Sequence, residues 1–237
     1  MESKNSTKTC DLKSCYLCQL SLKNWLPAIE VHRKNLSFKK GQTIFKAGDA
    51  VTGIYFIYSG TVKVYQNWDA GKDLIIRFGQ KGDILGQLGL GKQSVYPVSA
   101  TALEATTVCY ISLDFFESTL MVNHQLTYNL LLFFADELQR SERRMRDLVH
   151  MSVKGRIARA LLFLKQQFGV SSDGYLDMEL SRQDLSSFSG VVYETLFKVL
   201  NEFVQSNYIA LNGKRIAVVN DTSLELLTHE NQIRKLF

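Results

Sequence analysis

The sequence contains no apolar run as long as the roughly 18–20 residues that a membrane-spanning helix needs. Its N-terminus, MESKNSTKTCDLK, lacks the apolar core of a secretory signal peptide. Apolar residues make up 46% of the 237 residues and charged residues 22%, which is typical of a globular protein with a sizeable core. We therefore expect a cytoplasmic protein with no membrane partner.

Cysteine is scarce, and the four residues, Cys10, Cys15, Cys18 and Cys109, are too few for a disulfide framework. The first three have C-x4-C-x2-C spacing, which matches plant-type two-iron ferredoxins. Thiolates are soft ligands that suit iron–sulfur clusters and zinc. The four cysteines together predict a metal site. The alternatives are zinc held by the four thiolates or by three with His32, a thiol switch at Cys15 and Cys18, and no ligand.

Recognisable catalytic motifs are also missing. The chain has no P-loop, no nucleophile elbow and no paired-carboxylate motif. We therefore expect a binding protein rather than an enzyme.

Positive charge is concentrated in one segment. The net charge is +5, and residues 140–159 alone carry seven Lys and Arg against two acidic residues. This segment is either a solvated helix face or a positive band that contacts phosphates and releases their counterions.

Residues 37–111 have the pattern of a β domain. Ten of the fifteen glycines lie between Gly41 and Gly91, where they separate short β-branched and aromatic runs. Short strands with regular turn signals predict a sandwich or barrel.

Glycine is absent from residues 113–148, which we predict to form one or more helices, the last one long. In this segment apolar residues follow alternating three- and four-residue steps, the spacing of a dimer seam. The alternative is packing onto the β domain of the same chain. The predicted seam residues are Leu131, Phe134, Leu138, Met145 and Leu148, with Ser141 interrupting them.

From residue 150 the pattern predicts a winged helix-turn-helix. A helical segment ends at Gly169, and two further helices are separated by a turn at Ser189-Gly190. Two β-runs are then joined by Asn212-Gly213, a strong hairpin signal. In this motif the second helix of the pair enters the DNA major groove.

We predict that the second helix carries the base contacts. Glu194 could accept from a cytosine amino group, and Lys198 could reach a guanine or a phosphate. Polar residues around both helix starts are candidates for positioning on the DNA backbone. The full set of candidate DNA-contacting residues is Arg182, Gln183, Tyr193, Glu194, Thr195, Phe197 and Lys198.

The chain resembles the CRP/FNR family of bacterial transcription regulators over nearly its whole length. GDILGQLGL at 82–90, VKGRIARALLFL from Val153, and SRQDLSSFSGVVYETLFKVLNEFVQSNYI from Ser181 are similar to the family's motifs. Members of that family that read its commonest half-site usually have Arg at the position of Lys198 and a small residue at that of Phe197. The resemblance implies a homodimer that binds a two-fold symmetric operator in double-stranded DNA and controls RNA polymerase.

The resemblance implies an α+β fold in four parts. They are an N-terminal cysteine-bearing segment (1–24), a β-roll sensor domain of the jelly-roll, cyclic-nucleotide-binding type (25–118), a dimerisation helix (119–149) and a winged helix-turn-helix domain (150–237).

A cyclic nucleotide is not expected in the β-roll. Members that bind cyclic AMP place a Glu and an Arg-Ser pair in the effector cassette. In this chain Gln87, which follows Gly86, stands at the position of that Glu, and Val98, which precedes Ser99, stands at the position of that Arg. No arginine occurs within 78–139. An apolar valine facing a phosphate would leave its charge unpaired.

The cysteines resemble those of the FNR branch. There, an N-terminal cysteine cluster and one β-roll cysteine hold an oxygen-labile four-iron cluster, and Cys109 lies at the position of the latter. That branch has a further cysteine where this chain has Asn24, so Cys10 would take its place. We expect a four-iron cluster that senses oxygen or redox state, or alternatively a two-iron cluster. The other functional alternative is a regulator without a cluster that responds to a small effector, to zinc or to thiol oxidation.

Overall fold

The computed structural model describes residues 15–69 and 72–233. The chain divides into two compact units between Glu137 and Leu138. Within the described residues, no helix has the length and apolar character needed to span a membrane.

The first unit is built on two four-stranded antiparallel sheets, so the predicted β-roll is confirmed. The strand order is β1-β8-β3-β6 in one sheet and β2-β7-β4-β5 in the other. The strands are β1 (Lys34–Phe38), β2 (Thr43–Phe45), β3 (Gly53–Ser59), β4 (Val62–Asp69), β5 (Lys72–Gly79), β6 (Ile84–Leu85), β7 (Ser99–Ala102) and β8 (Thr106–Ser112).

Side chains alternate between the two faces of β3 and β8, because successive residues of a strand point to opposite sides. One face belongs to an interior cluster between the sheets, which includes Tyr55 and Val108. The other belongs to a helix-side cluster, which includes Phe56 and Cys109. These two clusters form the core of the first unit.

Four helices accompany the roll. They are α1 (Tyr16–Leu20), α2 (Leu26–His32), α3 (Leu113–Val122) and α4 (His124–His150). The prediction of helices over 113–148 with a long last one is confirmed, since α4 has 27 residues. α3 and α4 are separated at Asn123, which is fully buried and donates from Nδ2 to the Thr119 carbonyl at 2.8 Å.

The second unit has the predicted order of helix, helix-turn-helix and hairpin. Its elements are α5 (Val153–Phe168), α6 (Arg182–Ser189), α7 (Tyr193–Gln205), β9 (Ile209–Asn212), β10 (Arg215–Val218) and α8 (Asp221–Ile233). Ser152 caps α5 by accepting from the Gly155 amide at 3.0 Å, and α5 ends at Gly169, as predicted.

The turn between α6 and α7 depends on Gly190. Its φ of +63° lies in the left-handed region that favours glycine. A Cβ at this position would also come within 2.6 Å of the Leu148 side chain. Glycine therefore allows the sharp turn and leaves room for the end of the Leu148 side chain.

The hairpin is confirmed, but its loop lies one residue later than Asn212-Gly213. Asn212 pairs with Arg215, so the two loop residues are Gly213 and Lys214. Gly213 has a φ of +57°, and a positive φ at the first loop residue is typical of a type II′ turn. Asparagine serves here as the last strand residue.

Helix α8 was not predicted, although its start carries a recognisable signal. The Asn220 side chain accepts from the Ser223 amide at 3.0 Å, the geometry of an N-cap. Asp221 receives two 2.7 Å hydrogen bonds from Lys165 of α5, which joins the two helices.

Candidate nucleic-acid interface and cysteine site

Helix α7 has one buried face and one exposed strip. The buried face consists of Leu196, Val199, Leu200 and Phe203. Four exposed residues lie on another face of the first two turns, at the helical spacing i, i+1, i+4 and i+5, so they form one strip. We call this the recognition strip: Tyr193, Glu194, Phe197 and Lys198. Thr195 is half-buried beside it.

The start of α6 is fixed by Ser181. Its hydroxyl accepts from the Asp184 amide at 3.0 Å and donates to the Asp184 carboxylate at 2.6 Å. This satisfies one of the amides that a helix start leaves without an intrahelical partner. Gln183, a predicted backbone contact, lies on the first turn of α6 and is exposed, whereas Arg182 and Asp184 beside it are half-buried.

Arg182 is placed differently from the other candidates. Its guanidinium donates at 3.1 Å to the carbonyls of Gly213 and Lys214, the two residues of the hairpin loop. Partial burial lowers the pKa of Arg182, and the nearby Tyr193 acts in the opposite direction. The structure thus gives Arg182 a role in holding the hairpin, or wing, against the helix pair.

The predicted positive band at 140–159 is partly used inside the second unit. Lys154 pairs with Glu202 at 2.6 Å, and Arg159 pairs with Asp147. Part of the positive charge in this segment is therefore balanced by carboxylates of the same unit, which leaves less of it for phosphates than the sequence indicated.

Arg144, near the end of α4, contacts the end of α6. Its guanidinium donates to the Phe188 carbonyl at 2.8 Å and lies 5.2 Å from the centre of the Phe188 ring. Desolvation by burial lowers the pKa of Arg144 to about 10. An arginine withdrawn from solvent was not predicted at this position, and nothing in the sequence distinguishes it from its exposed neighbour Arg143.

Three of the four cysteines lie in the described residues, and all three are buried. Cys15 precedes α1, Cys18 lies within it, and Cys109 lies in β8 opposite Phe56 of β3. All three belong to the helix-side cluster. The fold therefore brings the N-terminal pair and the distant Cys109 to the same face of the same sheet. Cys10 lies outside the described residues.

The three thiols are not assembled as a metal site. Across residues 15–69 and 72–233, no group of three or more His, Cys, Asp or Glu side chains is arranged to hold a metal ion. His32, the fourth ligand of the zinc alternative, stacks on Phe115 at 4.0 Å and bonds through Nδ1 to the Ala28 carbonyl at 2.8 Å.

Tyr16 lies between the two N-terminal cysteines in sequence and has an unusual hydroxyl. The oxygen is buried and has no hydrogen-bond partner in the part of the chain that the structure describes. Burial raises the pKa of Tyr16 to about 12, so the group remains a neutral donor. Its ring contacts Phe133 of α4 edge to face, with 6.1 Å between the centroids.

The segment that carries Cys15 and Cys18 is attached to α3 and the start of α4. The Leu22 amide donates to Asn123 Oδ1 at 2.7 Å, and Trp25 Nε1 donates to Thr119 Oγ1 at 3.1 Å. Sequence reasoning did not identify these residues, because the contacts span about a hundred positions of the chain. They connect the cysteines to the long helix.

The residues of the effector cassette are used in packing. Gly86 has a φ of +85°, and Gln87, which follows it, is buried. Val98 belongs to the interior cluster. Ser99 Oγ accepts from the Ala47 amide at 3.0 Å and donates to Asn67 Oδ1 at 3.4 Å.

Aromatic rings fill the space beside this cassette. Phe45 stacks on Tyr96 with 4.3 Å between the centroids and on Tyr55 at 5.5 Å. The Tyr96 hydroxyl donates to the Gly53 carbonyl at 2.7 Å. An aromatic interior and an uncharged Val98 are poorly suited to the phosphate of a cyclic nucleotide.

Two family models match the chain, and between them they match most of it. A cyclic nucleotide-binding domain model matches residues 35–123, and a Crp-like helix-turn-helix domain model matches residues 155–227. The chain belongs to the CRP/FNR family. Its domains and relatives are those of DNA-binding transcription regulators and not of enzymes.

Curated relatives in the CRP/FNR family are similar over almost the full chain. The transcriptional activator protein Anr of Pseudomonas protegens is 28% identical over 221 residues, which are 92% of this chain and 90% of that protein. A CRP-like cAMP-activated global transcriptional regulator of Mycobacterium tuberculosis is 26% identical over 201 residues, which are 84% of this chain and 90% of that protein.

Solved structures of the CRP/FNR type share the fold. FixK2 from Bradyrhizobium japonicum superposes with a TM-score of 0.73 at 22% sequence identity, covering 82% of this chain and 96% of that one. The β-roll, the long helix and the winged helix are therefore the architecture of this CRP/FNR protein.

The predicted seam residues of α4 fall into two groups. Leu131, Leu138 and Met145 are each more than 60% exposed. Phe134 packs against the helix-side cluster, and Leu148 is half-buried beside Gly190. At Phe134 and Leu148 the exposed residue that continues the alternating steps lies one position later, and between them Ser141 and Glu142 are both exposed. We call the exposed row the α4 stripe: Leu131, Ala135, Leu138, Glu142, Met145 and Val149.

Proposed function

We propose that this CRP/FNR regulator senses oxygen or redox state through an iron–sulfur cluster held by its four cysteines. The observation that carries the proposal is that Cys15, Cys18 and Cys109 share one buried apolar cluster although they are far apart in sequence. Cys10 supplies the fourth thiolate. Relatives such as Anr, and proteins named anaerobic regulatory protein, support a role in anaerobic regulation.

The donor set fits such a cluster in chemistry and surroundings. Iron–sulfur clusters take cysteine thiolates, and burial and hydrogen bonds to sulfur tune their reduction potential. The described thiols are buried, and the Tyr16 hydroxyl is a buried donor without a partner among the described residues. When bound, the cluster would supply the sensitivity to oxygen. Completing the site requires Cys10 and a closer approach of the three buried thiols.

The chain itself provides a connection from this site to the long helix. Leu22 and Trp25 follow the cysteine pair and bond to Asn123 and Thr119 at the junction of α3 and α4. A change in the position of α1 would therefore alter contacts at the start of α4. Such a change acts as a population shift, since it favours one arrangement of α4 over another.

We further propose that α4 pairs with α4 of a second copy in a homodimer. The α4 stripe has the alternating three- and four-residue steps of a two-helix seam. Pairing about a two-fold axis would place two copies of α7 in major grooves about 34 Å apart on one DNA duplex. The proposed operator is accordingly two-fold symmetric, RNA polymerase is the proposed partner, and the cytoplasm is the proposed location.

Anaerobic purification tests the sensing proposal. We expect a brown protein whose iron and acid-labile sulfide co-purify and whose visible absorbance bleaches in air. Cys109→Ser should lose the iron as completely as Cys15→Ser, because both supply thiolates to the same site. As a matched control, Ser118→Ala removes a small polar side chain from α3 and should leave the iron content unchanged.

Two results would contradict the sensing proposal. One is a colourless anaerobic protein with neither iron nor sulfide. The other is normal iron retention in Cys109→Ser, which would make that residue an ordinary buried side chain. In the first case, oxidation of Cys15 and Cys18 would become the hypothesis to test, by mass spectrometry of the intact chain.

A binding titration tests the operator contacts. Lys198→Ala should weaken binding to a selected operator and reduce the preference for it over random duplex, because Lys198 is exposed on the recognition strip. Lys63→Ala, in the β-roll, serves as the control with the same loss of charge. Unchanged affinity and preference in Lys198→Ala would remove Lys198 from the contact set.

A further inference from the structure

The recognition strip exposes two aromatic rings. Phe197 is 56% exposed and Tyr193 is 42% exposed, and they are one helical turn apart on α7. Val192, just before the helix, is 68% exposed. Two other pairs of rings in the second unit pack against each other, Phe163 with Phe188 and Phe203 with Tyr208. The two rings of the strip instead present an apolar surface that is available to a partner.

The strip carries no net charge, so charge alone does not determine what it contacts. Glu194 and Lys198 are its two charged residues, and their charges are opposite. Glu194 lies three residues before Phe197, and Lys198 lies one residue after it. The two rings therefore supply much of the contact area. In a helix-turn-helix, residues at the N-terminal end of the second helix reach the base edges. Phe197 lies on the second turn of this helix.

A phenylalanine ring has no hydrogen-bond donor or acceptor. In the major groove, the C5 methyl of thymine is the apolar group that such a ring can contact favourably. A guanine or adenine at the same place would present acceptors that the ring removes from water without replacing their hydrogen bonds. Phe197 therefore favours thymine both by attraction to the methyl and by exclusion of polar edges.

We propose that Phe197 specifies a thymine in each half-site by apolar contact with the C5 methyl group. This inference rests on the proposed binding of a two-fold symmetric operator. It assigns to Phe197 a specificity that Glu194 and Lys198 cannot provide, since both read polar edges. It also predicts that the chain selects a half-site different from that of a regulator with a small residue at this position.

Replacing thymine with uracil tests the inference, because uracil lacks only the C5 methyl. A preferred operator is first selected by the full-length, anaerobically prepared protein from random duplexes. Each thymine is then replaced by deoxyuridine in turn. We expect one position per half-site at which the replacement weakens binding about fourfold, and about fifteenfold when both half-sites are changed.

Variants at the same position make the test specific. Phe197→Ser should remove the penalty for uracil, whereas Phe197→Leu should keep most of it, because leucine remains apolar. Val192→Ser, at an exposed apolar residue outside the recognition strip, should retain the full penalty. Phe197 is exposed, so none of these changes removes a core side chain.

The outcomes separate the inference from the proposal beneath it. If the protein binds no duplex of any sequence, the proposed operator binding fails. If it binds a selected operator but tolerates uracil at every thymine, or if Phe197→Ser keeps the penalty, the inference about Phe197 is overturned. If Phe197→Ser changes only the oligomeric state and leaves base preference unchanged, the aromatic surface is a self-association site and the inference is likewise overturned.

Discussion

Tyr16 keeps a buried hydroxyl without a hydrogen-bond partner in the described part of the chain. A buried polar group of this kind costs about 1–3 kcal/mol. We therefore expect Tyr16→Phe to raise the free energy of unfolding of the metal-free protein by about 1 kcal/mol, measured by urea denaturation. The ring contact with Phe133 would be retained, because only the oxygen is removed.

A control for Tyr16→Phe is Tyr128→Phe. Tyr128 lies in α4 and is 56% exposed, so removal of its solvated hydroxyl should leave stability nearly unchanged. Equal or lower stability of Tyr16→Phe would mean that the Tyr16 hydroxyl has a partner in solution. A gain in the metal-free protein and a loss in the iron-loaded protein would indicate that the hydroxyl donates to the bound group.

Asp173 has an ionisation that depends on Arg215. The hydrogen bond from Arg215 is the largest cause that holds the pKa of Asp173 below its ordinary value, followed by the bond from Ser171. The contact stabilises the fold above the ordinary aspartate pKa of about 4 and is lost as pH falls through the lower native value. We expect Arg215→Met to return the pKa of Asp173 toward that ordinary value in an NMR titration.

Lys214→Met is the matched control for this titration, since it removes the neighbouring positive charge without touching the ion pair. An unchanged Asp173 titration in Arg215→Met would contradict the assignment.

At the scale of elements, the proposed homodimer would place the α4 stripe against the same stripe of a second copy. Leu138, in the middle of the stripe, is 62% exposed in the single chain. Burial of a leucine on each side of a two-fold axis contributes about 1.5–3 kcal/mol per side chain. We expect Leu138→Glu to shift the protein to monomer in sedimentation velocity, because it places two like charges in the seam.

Met121→Glu provides the comparison, since Met121 is 79% exposed but lies in α3. It should leave the oligomeric state unchanged. A Leu138→Glu protein that remains dimeric would show that the subunits pair through another surface.

The end of α4 is joined to the end of α6 through Arg144. A charge-assisted hydrogen bond and the ring of Phe188 hold its guanidinium. We expect Arg144→Met to lower the free energy of unfolding of the second unit by about 1–3 kcal/mol and to weaken DNA binding. Differential scanning calorimetry and a mobility shift would measure the two effects.

Arg143→Met is a suitable control, because it removes the same charge from an exposed position one residue earlier. If both variants lose the same affinity for DNA, Arg144 acts only through its charge and not by positioning α6.

For the molecule as a whole, two separate cores predict two unfolding transitions in the calorimeter. Leu17 is fully buried in the helix-side cluster, and Leu185 is fully buried in α6. Each Leu→Ala change should cost about 2–5 kcal/mol. We expect Leu17→Ala to lower the midpoint of one transition and Leu185→Ala that of the other. A single transition affected equally by both would mean that the units unfold together.

Much of the architecture follows from local sequence signals. The glycine-separated runs predicted the β-roll, Gly169 and Gly190 marked helix ends, and Ser181 marked a helix start. These features depend on the backbone preferences of a few adjacent residues, so a single sequence is enough to detect them. The hairpin was also predicted, with an error of one residue in its loop at Gly213.

The contacts between distant residues could not be predicted in this way. Arg182 was predicted to contact DNA, but its guanidinium bonds to the hairpin loop. Arg144 is partly buried, whereas the adjacent Arg143 is exposed. Asn123 receives a hydrogen bond from Leu22, about a hundred positions earlier. Polar residues have several chemically equivalent partners, and only the folded chain determines which one is near.

The packing of Leu17 has a consequence for how quickly such a regulator could reset. The side chain that anchors α1 lies between Cys15 and Cys18, and it is fully enclosed by the protein's own core. Apolar packing therefore holds the cysteine-bearing turn in the core. In the proposed sensor, loading of the cluster would draw the three thiols together around this anchor, and loss of the cluster would leave Leu17 in the core, so this region would not have to refold before each reloading.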